Sequence, residues 1–390
     1  MEYRRFGKTG LSMPLFSAGC MRSMQSWQEL SPEQIEPQQQ ARLRAIVHQA
    51  LGHGINHLET ARAYGSSEHQ LGRVLQEWER SDYILQTKVA PEPDAAVFRR
   101  NVLDSLARLQ VERLDLLAIH GINTFRQLWQ VCRAGGCLEE ARRLQTEGRV
   151  GWIGFSSHGP REVILEAVRL QEHGGFDYCN LHWYTIFQRH EAVLQEAGER
   201  DLGVFVISPS DKGGMLHTPP ALLTRLCRPL SPMQFNDLFC LQHPGIHTIS
   251  IGAARPADFA EHLKVLPHLA DRELVATIYN RWQAQMQRLT GRSHPDAHWD
   301  RFPFFEEIPG YINIPRVLWL YDLARGWDLL AYARSRYQQL GSASQWLPGN
   351  VPGWVAGYDL KEVAVQAGLD EQELKRQLTQ AHELLARGAV

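Results

Sequence analysis

Four ionisable side chains of this 390-residue chain end three apolar runs or closely follow them: Glu59, Tyr64, Lys88 and His120. An ammonium beside a phenol makes it a stronger acid, so Lys88 would lower the pKa of Tyr64 from its usual value of about 10. Glu59 would keep Lys88 charged, and His120 would orient a carbonyl group by a hydrogen bond. The four groups would then protonate a carbonyl oxygen while a bound nicotinamide delivers hydride to the carbon. Each residue alone is weak evidence, because a single lysine or histidine in such a place is usually a solvated terminus or a satisfied polar group.

The elements that would position these groups are eight short apolar runs with amphipathic stretches between them. The runs cover residues 15–20, 55–61, 83–89, 114–120, 150–157, 178–184, 203–209 and 247–252. Runs without alternation are typical of parallel strands buried on both faces. Eight strands, each followed by a helix, predict an α/β fold of the (β/α)₈ TIM barrel type, in which functional residues lie at the C-terminal ends of the strands. The alternative is an open doubly wound sheet, but that fold usually has fewer strands, and the chain contains no G-x-G-x-x-G turn.

The domain boundary is expected near residue 270, with a TIM barrel over 1–270 and a mainly helical C-terminal domain over 271–390. Within the barrel, amphipathic spacing predicts helices over 39–51 and 98–109, and Pro160 opens a further helix. Residues 3–14 are expected to form a hairpin that caps the bottom of the barrel. Beyond the boundary, helical patterns cover 272–289, 317–340 and 360–386, with a stretch rich in proline and aromatic residues over 291–315 and a loop over 347–353.

The overall composition argues against several classes of function. The net charge is −2 and no cluster of basic residues stands out, which argues against binding to nucleic acid or to an anionic membrane surface. No apolar stretch approaches the 18 residues of a transmembrane helix, and the N-terminus lacks the apolar segment of a secretion signal. The six cysteines form no C-x-x-C pair, which predicts buried thiols in a reducing compartment and therefore a cytoplasmic protein.

At the four candidate residues the chain resembles the aldo-keto reductase family. Residues 56–65 match the pattern N-x-x-D-T-A-x-x-Y-G, except that Glu59 takes the place of Asp. Residues 86–88, 114–120 and 148–156 resemble the lysine strand, the D-L-x-x-x-H strand and the G-K-V-R-x-I-G-x-S strand of the same family. The resemblance runs over residues 3–265 and implies that Tyr64 is the acid of a catalytic tetrad completed by Glu59, Lys88 and His120.

The substitution of Glu for Asp in the tetrad is the departure from the family pattern. Glu59 keeps the charge that pairs with lysine, but its extra methylene adds about 1.5 Å of reach. A misplacement of about 1 Å can cost about a hundredfold in rate. We therefore expect weakened or narrowed catalysis.

The same resemblance implies an NADPH site along the remaining strand ends. Family members hold the nicotinamide with polar groups after strands five and six, fold a loop over the pyrophosphate after strand seven, and bind the adenosine phosphate after strand eight. The matching positions are Ser156, Ser157, Asn180, Ser208, Asp211, Lys212, Gly213, Gly252, Arg255, Asp258, Glu261 and His262. A helix N-terminus beside Arg255 suits an anion, and no acid that would read the ribose stands beside Arg255, so NADPH is expected rather than NADH. The alternative is that Arg255 is only a surface residue at the start of a helix.

The C-terminal domain resembles a branch of this family that carries a ferredoxin-like iron–sulfur domain. The segment 312–321 is similar to the one that follows the cysteine cluster in that branch. Residues 298–309 contain no cysteine, and Trp299, Phe302, Phe305 and Ile308 recur at every third position instead. Because thiolates hold such clusters, we expect no metal and an apolar core in its place. His294 and His298 are a weak metal signal, since two histidines rarely suffice.

Two functions follow from these observations. The first is an NADPH-dependent enzyme that reduces an aldehyde or ketone to an alcohol, acting on a small carbonyl substrate. The second is an NADPH-binding regulatory protein with weak or no catalysis, whose C-terminal domain docks a protein partner. Glu59 and the missing cysteines motivate the second, because both depart from features of active family members.

Overall fold

The computed structural model of the chain describes residues 1–342 and 346–386. By their contacts these residues divide into two compact units. Unit 1 comprises Met1–Trp183, His190–Ser210 and Asn236–Ala270. Unit 2 comprises Tyr184–Arg189, Asp211–Phe235 and the described residues from Asp271 onward. The longest segment of unit 2 begins at Asp271, and its two shorter segments come from within residues 1–270.

Unit 1 is built around a closed barrel of eight parallel strands, which confirms the predicted (β/α)₈ fold. The strands are β3 (Phe16–Gly19), β4 (His57–Glu59), β5 (Ile84–Val89), β6 (Leu114–His120), β7 (Val150–Ser156), β8 (Tyr178–Leu181), β9 (Gly203–Val206) and β10 (Thr248–Ile251). In spatial order the barrel runs β10-β3-β4-β5-β6-β7-β8-β9.

Most of these strands are shorter than the apolar runs that predicted them. Leu15, Cys20, Ile55 and Ala61 flank β3 and β4, and all four are buried although they lie outside the paired residues. Burial therefore continues past the last hydrogen-bonded residue at each end of the barrel, and hydrophobic runs mark the buried length of a strand and not its paired length.

The helices of unit 1 surround the barrel and follow their strands in chain order. They are α1 (Pro37–Gly52), α2 (Ser67–Leu75), α3 (Ala95–Leu109), α4 (Phe125–Cys132), α5 (Cys137–Thr146), α6 (Arg161–Arg169), α7 (Glu191–Glu199) and α10 (Phe259–Leu263). Helix α3 begins where the Asp94 side chain accepts a hydrogen bond from the Ala96 amide at 2.8 Å, which is a standard N-terminal cap. Pro160 is the residue before α6, one position earlier than a proline within the first turn.

A hairpin of β1 (Tyr3–Arg5) and β2 (Ser12–Pro14) precedes the barrel, as predicted. Phe6 and Met13 are fully buried in a cluster with Tyr178 and Phe205. A side chain at Gly7 would collide with the backbone of Gly203, the first residue of β9. Because Tyr178 also begins its strand, the hairpin covers the N-terminal end of the barrel, which is opposite to the end where functional residues are expected.

Unit 2 is mainly helical, as predicted for the C-terminal region. It contains α8 (Ala221–Leu226), α11 (Arg272–Thr290), α12 (Ile314–Trp327), α13 (Leu330–Tyr337), α14 (Lys361–Gln366) and α15 (Glu371–Ala386), and α9 (Pro232–Leu241) runs from this unit into unit 1. Helix α12 is buried on nearly every side and packs against α11, α13 and α15, so it is the centre of the unit. Asp328 adopts a left-handed conformation with φ of 59°, which splits the predicted helical stretch 317–340 into α12 and α13.

The histidines of the proline-rich stretch make internal bonds. The Nε2 atom of His298 lies 2.7 Å from a carboxylate oxygen of buried Asp322, and Nε2 of His294 lies 2.9 Å from the Thr185 carbonyl oxygen. Trp299, Phe302 and Ile308 are buried, and Phe305 is half-buried. Among the described residues, no three potential metal ligands come together, and no helix is both long and apolar enough to cross a membrane.

Candidate active site

Three neighbouring strands bring the four candidate catalytic residues to one end of the barrel. Glu59 is the last residue of β4, Lys88 lies near the end of β5, and His120 is the last residue of β6. Tyr64 lies in the turn between β4 and α2. Since β4, β5 and β6 are adjacent and parallel, their C-terminal ends meet at a single rim.

Lys88 is the most buried member of this group. Its side chain is 1% exposed and forms an ion pair with Glu59, whose side chain is 5% exposed. The ammonium also donates a hydrogen bond to the Thr60 carbonyl oxygen at 2.9 Å. Its position is therefore fixed by β4, the strand that also leads into the Tyr64 turn.

Tyr64 lies against both of its predicted partners. The Lys88 ammonium is 4.7 Å from the centroid of the phenol ring. The His120 ring meets the same phenol edge to face, with 6.0 Å between ring centroids. The turn that presents Tyr64 depends on Gly65, which has φ of 48° and no room for a β-carbon beside Ser26 and Trp27.

Burial controls the pKa values of Lys88 and Tyr64. It lowers the pKa of Lys88 to about 7, while the Glu59 carboxylate acts in the opposite direction because it favours the charged ammonium. Burial also raises the pKa of Tyr64 above its ordinary value, so the expected lowering by Lys88 does not dominate. The phenol is consequently protonated at neutral pH, which is the state that a proton donor needs.

Glu59 fits in place of a shorter residue because Gly19 leaves space for it. A β-carbon on Gly19 would lie 3.3 Å from a Glu59 carboxylate oxygen and 2.7 Å from the Ser250 hydroxyl. Glycine at the end of β3 therefore accommodates the extra methylene of Glu59. The longer side chain still reaches Lys88 and keeps the pairing charge beside it.

The predicted nicotinamide residues follow directly along the rim. His120 is paired in register with Ser156 on β7, and Ser156 is paired with Asn180 on β8. The Ser156 hydroxyl accepts a hydrogen bond from the Gly121 amide at 3.1 Å, and the Ser157 hydroxyl donates one to the Ile122 carbonyl oxygen at 2.6 Å.

Among these residues, Asn180 has a side-chain amide that makes no hydrogen bond to the described residues. Its side chain is fully buried, and neither the amide nitrogen nor the amide oxygen has a hydrogen-bond partner among the described residues. A buried amide without partners is costly and needs a partner from elsewhere. One donor and one acceptor on the same side chain are what a carboxamide ligand such as nicotinamide would pair with.

The loop after β9 contributes residues to both units. Ser208, in unit 1, has φ of 55°, and the neighbouring Ser210 hydroxyl is buried without a hydrogen-bond partner among the described residues. Asp211, Lys212 and Gly213 belong to unit 2. There Asp211 pairs with Arg336 at 2.7 Å, and the Tyr332 hydroxyl donates to the Lys212 carbonyl oxygen at 2.7 Å.

The predicted phosphate-binding residues after β10 fall into two groups. Arg255 is exposed, but its guanidinium pairs with the Asp258 carboxylate at 3.0 Å, so an acid does stand beside it in the fold. The Asp258 carboxylate also caps the turn by accepting from the Ala254 and Arg255 amides. Gly252 follows the strand directly, beside the aliphatic part of Arg22. Glu261 pairs with Lys264 at 2.9 Å.

His262 differs from these residues because it is buried. Its imidazole is 1% exposed and lies 2.6 Å from the buried carboxylate of Asp237. The ring also packs edge to face on Phe16. His262 therefore packs in the core, between Asp237 and Phe16.

Several residues near the rim were missed by sequence reasoning. Trp27, in the loop after β3, is 64% exposed and meets Tyr64 edge to face at 6.2 Å. His158 and His182 follow β7 and β8, stack with 4.7 Å between ring centroids, and share a close contact of 2.5 Å between ring nitrogens. The only signal for these residues was their position just after a barrel strand. Trp27 contacts the tetrad through the ring of Tyr64.

Comparison with known proteins identifies the family. The uncharacterized oxidoreductase YqkF of Bacillus subtilis is 25% identical to this chain over 232 residues. These are 54% of this chain and 69% of that protein. L-glyceraldehyde 3-phosphate reductase of Escherichia coli is 28% identical over 187 residues, which are 43% of this chain and only 49% of the relative. An aldo-keto reductase from Klebsiella pneumoniae, solved in complex with NADPH, superposes with a TM-score of 0.57 at 19% identity and covers 72% of this chain and 94% of its own.

The family match itself covers more than half of the chain. It extends over residues 17–269, from the second residue of β3 to the end of the barrel unit, and includes every strand end described above. The chain therefore belongs to the aldo/keto reductase family of oxidoreductases.

Proposed function

We propose that this protein is an NADPH-dependent reductase of small aldehydes or ketones, with Tyr64 as the general acid. The observation that carries the proposal is the convergence of Tyr64, Lys88, His120 and Glu59 at the C-terminal rim of the barrel. A proton donor, a cation beside it and a hydrogen-bonding imidazole are the groups that reduction of a carbonyl requires.

Each residue of the group has its own task. Tyr64 holds a proton at its hydroxyl and transfers it to the carbonyl oxygen as negative charge develops there. Lys88 stabilises the resulting phenolate, and Glu59 holds Lys88 in place through their ion pair. His120 orients the carbonyl oxygen toward the phenol. A bound reduced nicotinamide would supply the hydride.

The buried amide of Asn180 supports a nicotinamide cofactor. Asn180 and Ser156 occupy neighbouring strand ends beside His120, so a carboxamide held there would lie next to the tetrad. For the phosphate end we propose Gly252, Arg255, Asp258 and Glu261, which follow β10 in unit 1, with Arg255 favouring the extra phosphate of NADPH once that phosphate replaces Asp258 as its partner. The NADPH bound to the structurally similar protein of Klebsiella pneumoniae is consistent with this proposal.

The substrate is proposed only as a class. The relatives compared above include a reductase of a small phosphorylated aldehyde, L-glyceraldehyde 3-phosphate, and the match spans about half of that relative. Trp27 beside Tyr64 supports a substrate with a short, partly apolar chain next to its carbonyl.

The C-terminal unit is proposed to be a degenerate form of the iron–sulfur domain found in one branch of the family. In support, the segment that resembles that branch leads into α12, and Trp299 and Phe302 ahead of it are buried where a core is needed. A cytoplasmic location fits the six free cysteines, all of which are buried.

The central test compares Tyr64→Phe with the unchanged protein. Turnover of a panel of aldehydes and ketones by NADPH should fall about 10²- to 10⁴-fold, because the variant has no proton to donate. Binding of NADPH, followed by its fluorescence, should be unchanged. Tyr311→Phe, which removes the hydroxyl of a 60% exposed tyrosine, serves as the matched control and should turn over normally.

Two results would contradict this mechanism. Equal turnover by Tyr64→Phe would remove Tyr64 as the acid. Binding of NADPH with no turnover of any carbonyl by the unchanged protein, and recovery of turnover in Glu59→Asp, would favour the regulatory alternative.

A further inference from the structure

Unit 2 contains a buried arginine with unmade hydrogen bonds. Arg316, in the first turn of α12, is 7% exposed. Its Nη2 atom lies 3.4 Å from the Trp346 carbonyl oxygen, but Nε and Nη1 are buried without a hydrogen-bond partner among the described residues. Burying a charged group with unused donors is costly unless a further group satisfies them. The described residues therefore leave two donor atoms of Arg316 without acceptors.

Aromatic rings surround the Arg316 guanidinium. Its central carbon lies 4.5 Å from the ring centroid of Trp299, 5.2 Å from that of Trp319 and 5.7 Å from that of Trp346. Rings of this kind attract the cation through their faces but offer its N–H groups no oxygen acceptor. The aromatic residues thus hold the charge in place and leave two donors for a ligand.

Two further cations lie against the ring of Trp346. The Lys212 ammonium lies 4.6 Å from the Trp346 ring centroid, and the Arg336 guanidinium carbon lies 5.2 Å from it. Arg336 pairs with Asp211 at 2.7 Å, but its Nε atom is buried without a hydrogen-bond partner among the described residues. Trp346 is therefore the common contact of three positively charged side chains.

The cluster concentrates positive charge around Trp346. Burial, followed by the fields of Arg336 and Arg316, lowers the pKa of Lys212 to about 7. The Asp211 carboxylate acts on Lys212 in the opposite direction. An anion bound among these cations would favour their charged forms.

We propose that this cluster binds a phosphate group, with Arg316 and Arg336 donating hydrogen bonds to its oxygens and Lys212 contributing charge. Guanidinium N–H groups match the oxygens of a phosphate in a paired, planar geometry, and such charge-assisted bonds are stronger than neutral ones. The phosphate is either inorganic phosphate or part of a larger molecule such as a dinucleotide. The site lies outside the catalytic group described above and does not depend on its activity.

The experiment measures thermal unfolding of the full chain in inorganic phosphate and in chloride at equal ionic strength. Phosphate should raise Tm in a saturable manner, because a ligand that binds only the folded state stabilises it. Sulfate, a dianion of the same shape, should compete, and acetate should not. A wild-type Tm that does not respond to phosphate beyond the response to chloride would overturn the proposal.

The variant Arg316→Met locates the effect. It should weaken the apparent affinity for phosphate about ten- to hundredfold, the loss expected for charge-assisted hydrogen bonds. In chloride alone its Tm should not fall, because an apolar side chain then replaces an unsatisfied buried charge. Arg325→Met, on the same helix but bonded to the Leu289 carbonyl oxygen, is the matched control and should respond to phosphate as wild type does.

The alternative results separate a binding site from a structural arginine. An unchanged phosphate response in Arg316→Met would show that phosphate binds elsewhere, and the proposal would be wrong. If Arg316→Met does not fold, Arg336→Met tests the same site, because it removes the unpaired Nε donor of Arg336. A wild-type response to phosphate in Arg336→Met would equally overturn the proposal.

A last arm distinguishes the sources of the phosphate. The titration is repeated at saturating NADPH. Competition between NADPH and inorganic phosphate would mean that the site takes a phosphate of the dinucleotide, and additive stabilisation would mean a separate phosphate ligand. Either result supports the site, and neither requires that Tyr64 act as an acid.

Discussion

The ammonium of Lys88 meets Tyr64 over the face of its ring, 4.7 Å from the centroid, and pairs with Glu59 in the same buried place. One cation is thus shared between the group that would lose a proton and the carboxylate that keeps the cation charged. Because water is excluded around Lys88, a change in its charge has a large effect on the stability of a phenolate. The protonation state of Lys88 therefore becomes the variable that controls the site.

Turnover should fall as the pH rises through about 7. Burial lowers the pKa of Lys88 to about 7, so the ammonium is present below that pH and is lost above it, and with it the charge that stabilises phenolate. The measurement is kcat against pH between 5 and 9 at saturating NADPH. In Lys88→Met, kcat should be lower by a factor of about 10² or more. Its pH profile should lack the alkaline decline. An identical alkaline decline in the variant would assign it to another group.

Glu59 should set where that decline occurs. In Glu59→Gln the carboxylate that favours the charged ammonium is gone, so the pKa of Lys88 falls further and the decline of kcat moves to lower pH. Glu59→Asp keeps the charge and is the control for side-chain length, and its decline should stay close to that of wild type. If Glu59→Gln and Glu59→Asp shift the pH profile of kcat equally, the charge of Glu59 does not control the pKa of Lys88.

How far the sequence predicts this site depends on which physical rule applies. Glu59, Lys88 and His120 were predicted to converge because parallel strands of a barrel must end at one rim, and this holds even when strand ends are uncertain by a residue. The conformation of Asp328 was missed, because a left-handed aspartate inside an apolar helical pattern gives no periodic signal. The burial of His262 was not predicted either, because its partner Asp237 is distant in sequence and only the fold reveals the buried pair.

The grouping of residues 211–235 with the C-terminal helices was also beyond sequence reasoning. This segment follows β9 in the chain and was assigned to the barrel for that reason. Its contacts are long-range ones, such as the bond from the Tyr332 hydroxyl to the Lys212 carbonyl oxygen at 2.7 Å and the ring contact of Phe235 with Trp282 at 5.4 Å. Single contacts between residues far apart in sequence leave no local pattern.

Asn180 should contribute to cofactor binding without contributing to the stability of the free protein. Its amide has no hydrogen-bond partner among the described residues, so Asn180→Leu removes an unsatisfied polar group of similar size and should leave Tm equal or higher. NADPH binding, followed by fluorescence titration, should weaken about three- to tenfold for the loss of neutral hydrogen bonds.

The matched comparison for Asn180 is Asn123→Leu. Asn123 accepts a hydrogen bond from the His158 amide at 2.7 Å, so its replacement removes the acceptor of a part-buried donor. Its Tm should fall by the equivalent of about 1–3 kcal/mol. If Asn180→Leu is destabilised to the same extent, its amide is bonded within the protein and is not reserved for a ligand.

Gly65 should be required for the position of Tyr64 and not merely for the turn. With φ of 48°, alanine at this position is strained by about 1 kcal/mol, and its β-carbon would also collide with the Ser26 carbonyl oxygen and lie 2.7 Å from the backbone of Trp27. The turn must then shift, and Tyr64 with it. Gly10→Ala separates the two effects, because Gly10 has φ of 67° and open space around its β-carbon. Both variants should lose stability, but only Gly65→Ala should lose kcat, by about a hundredfold for a displacement of about 1 Å. Equal kcat in the two variants would mean that the turn tolerates the shift and that Tyr64 is positioned by Lys88 and His120 alone.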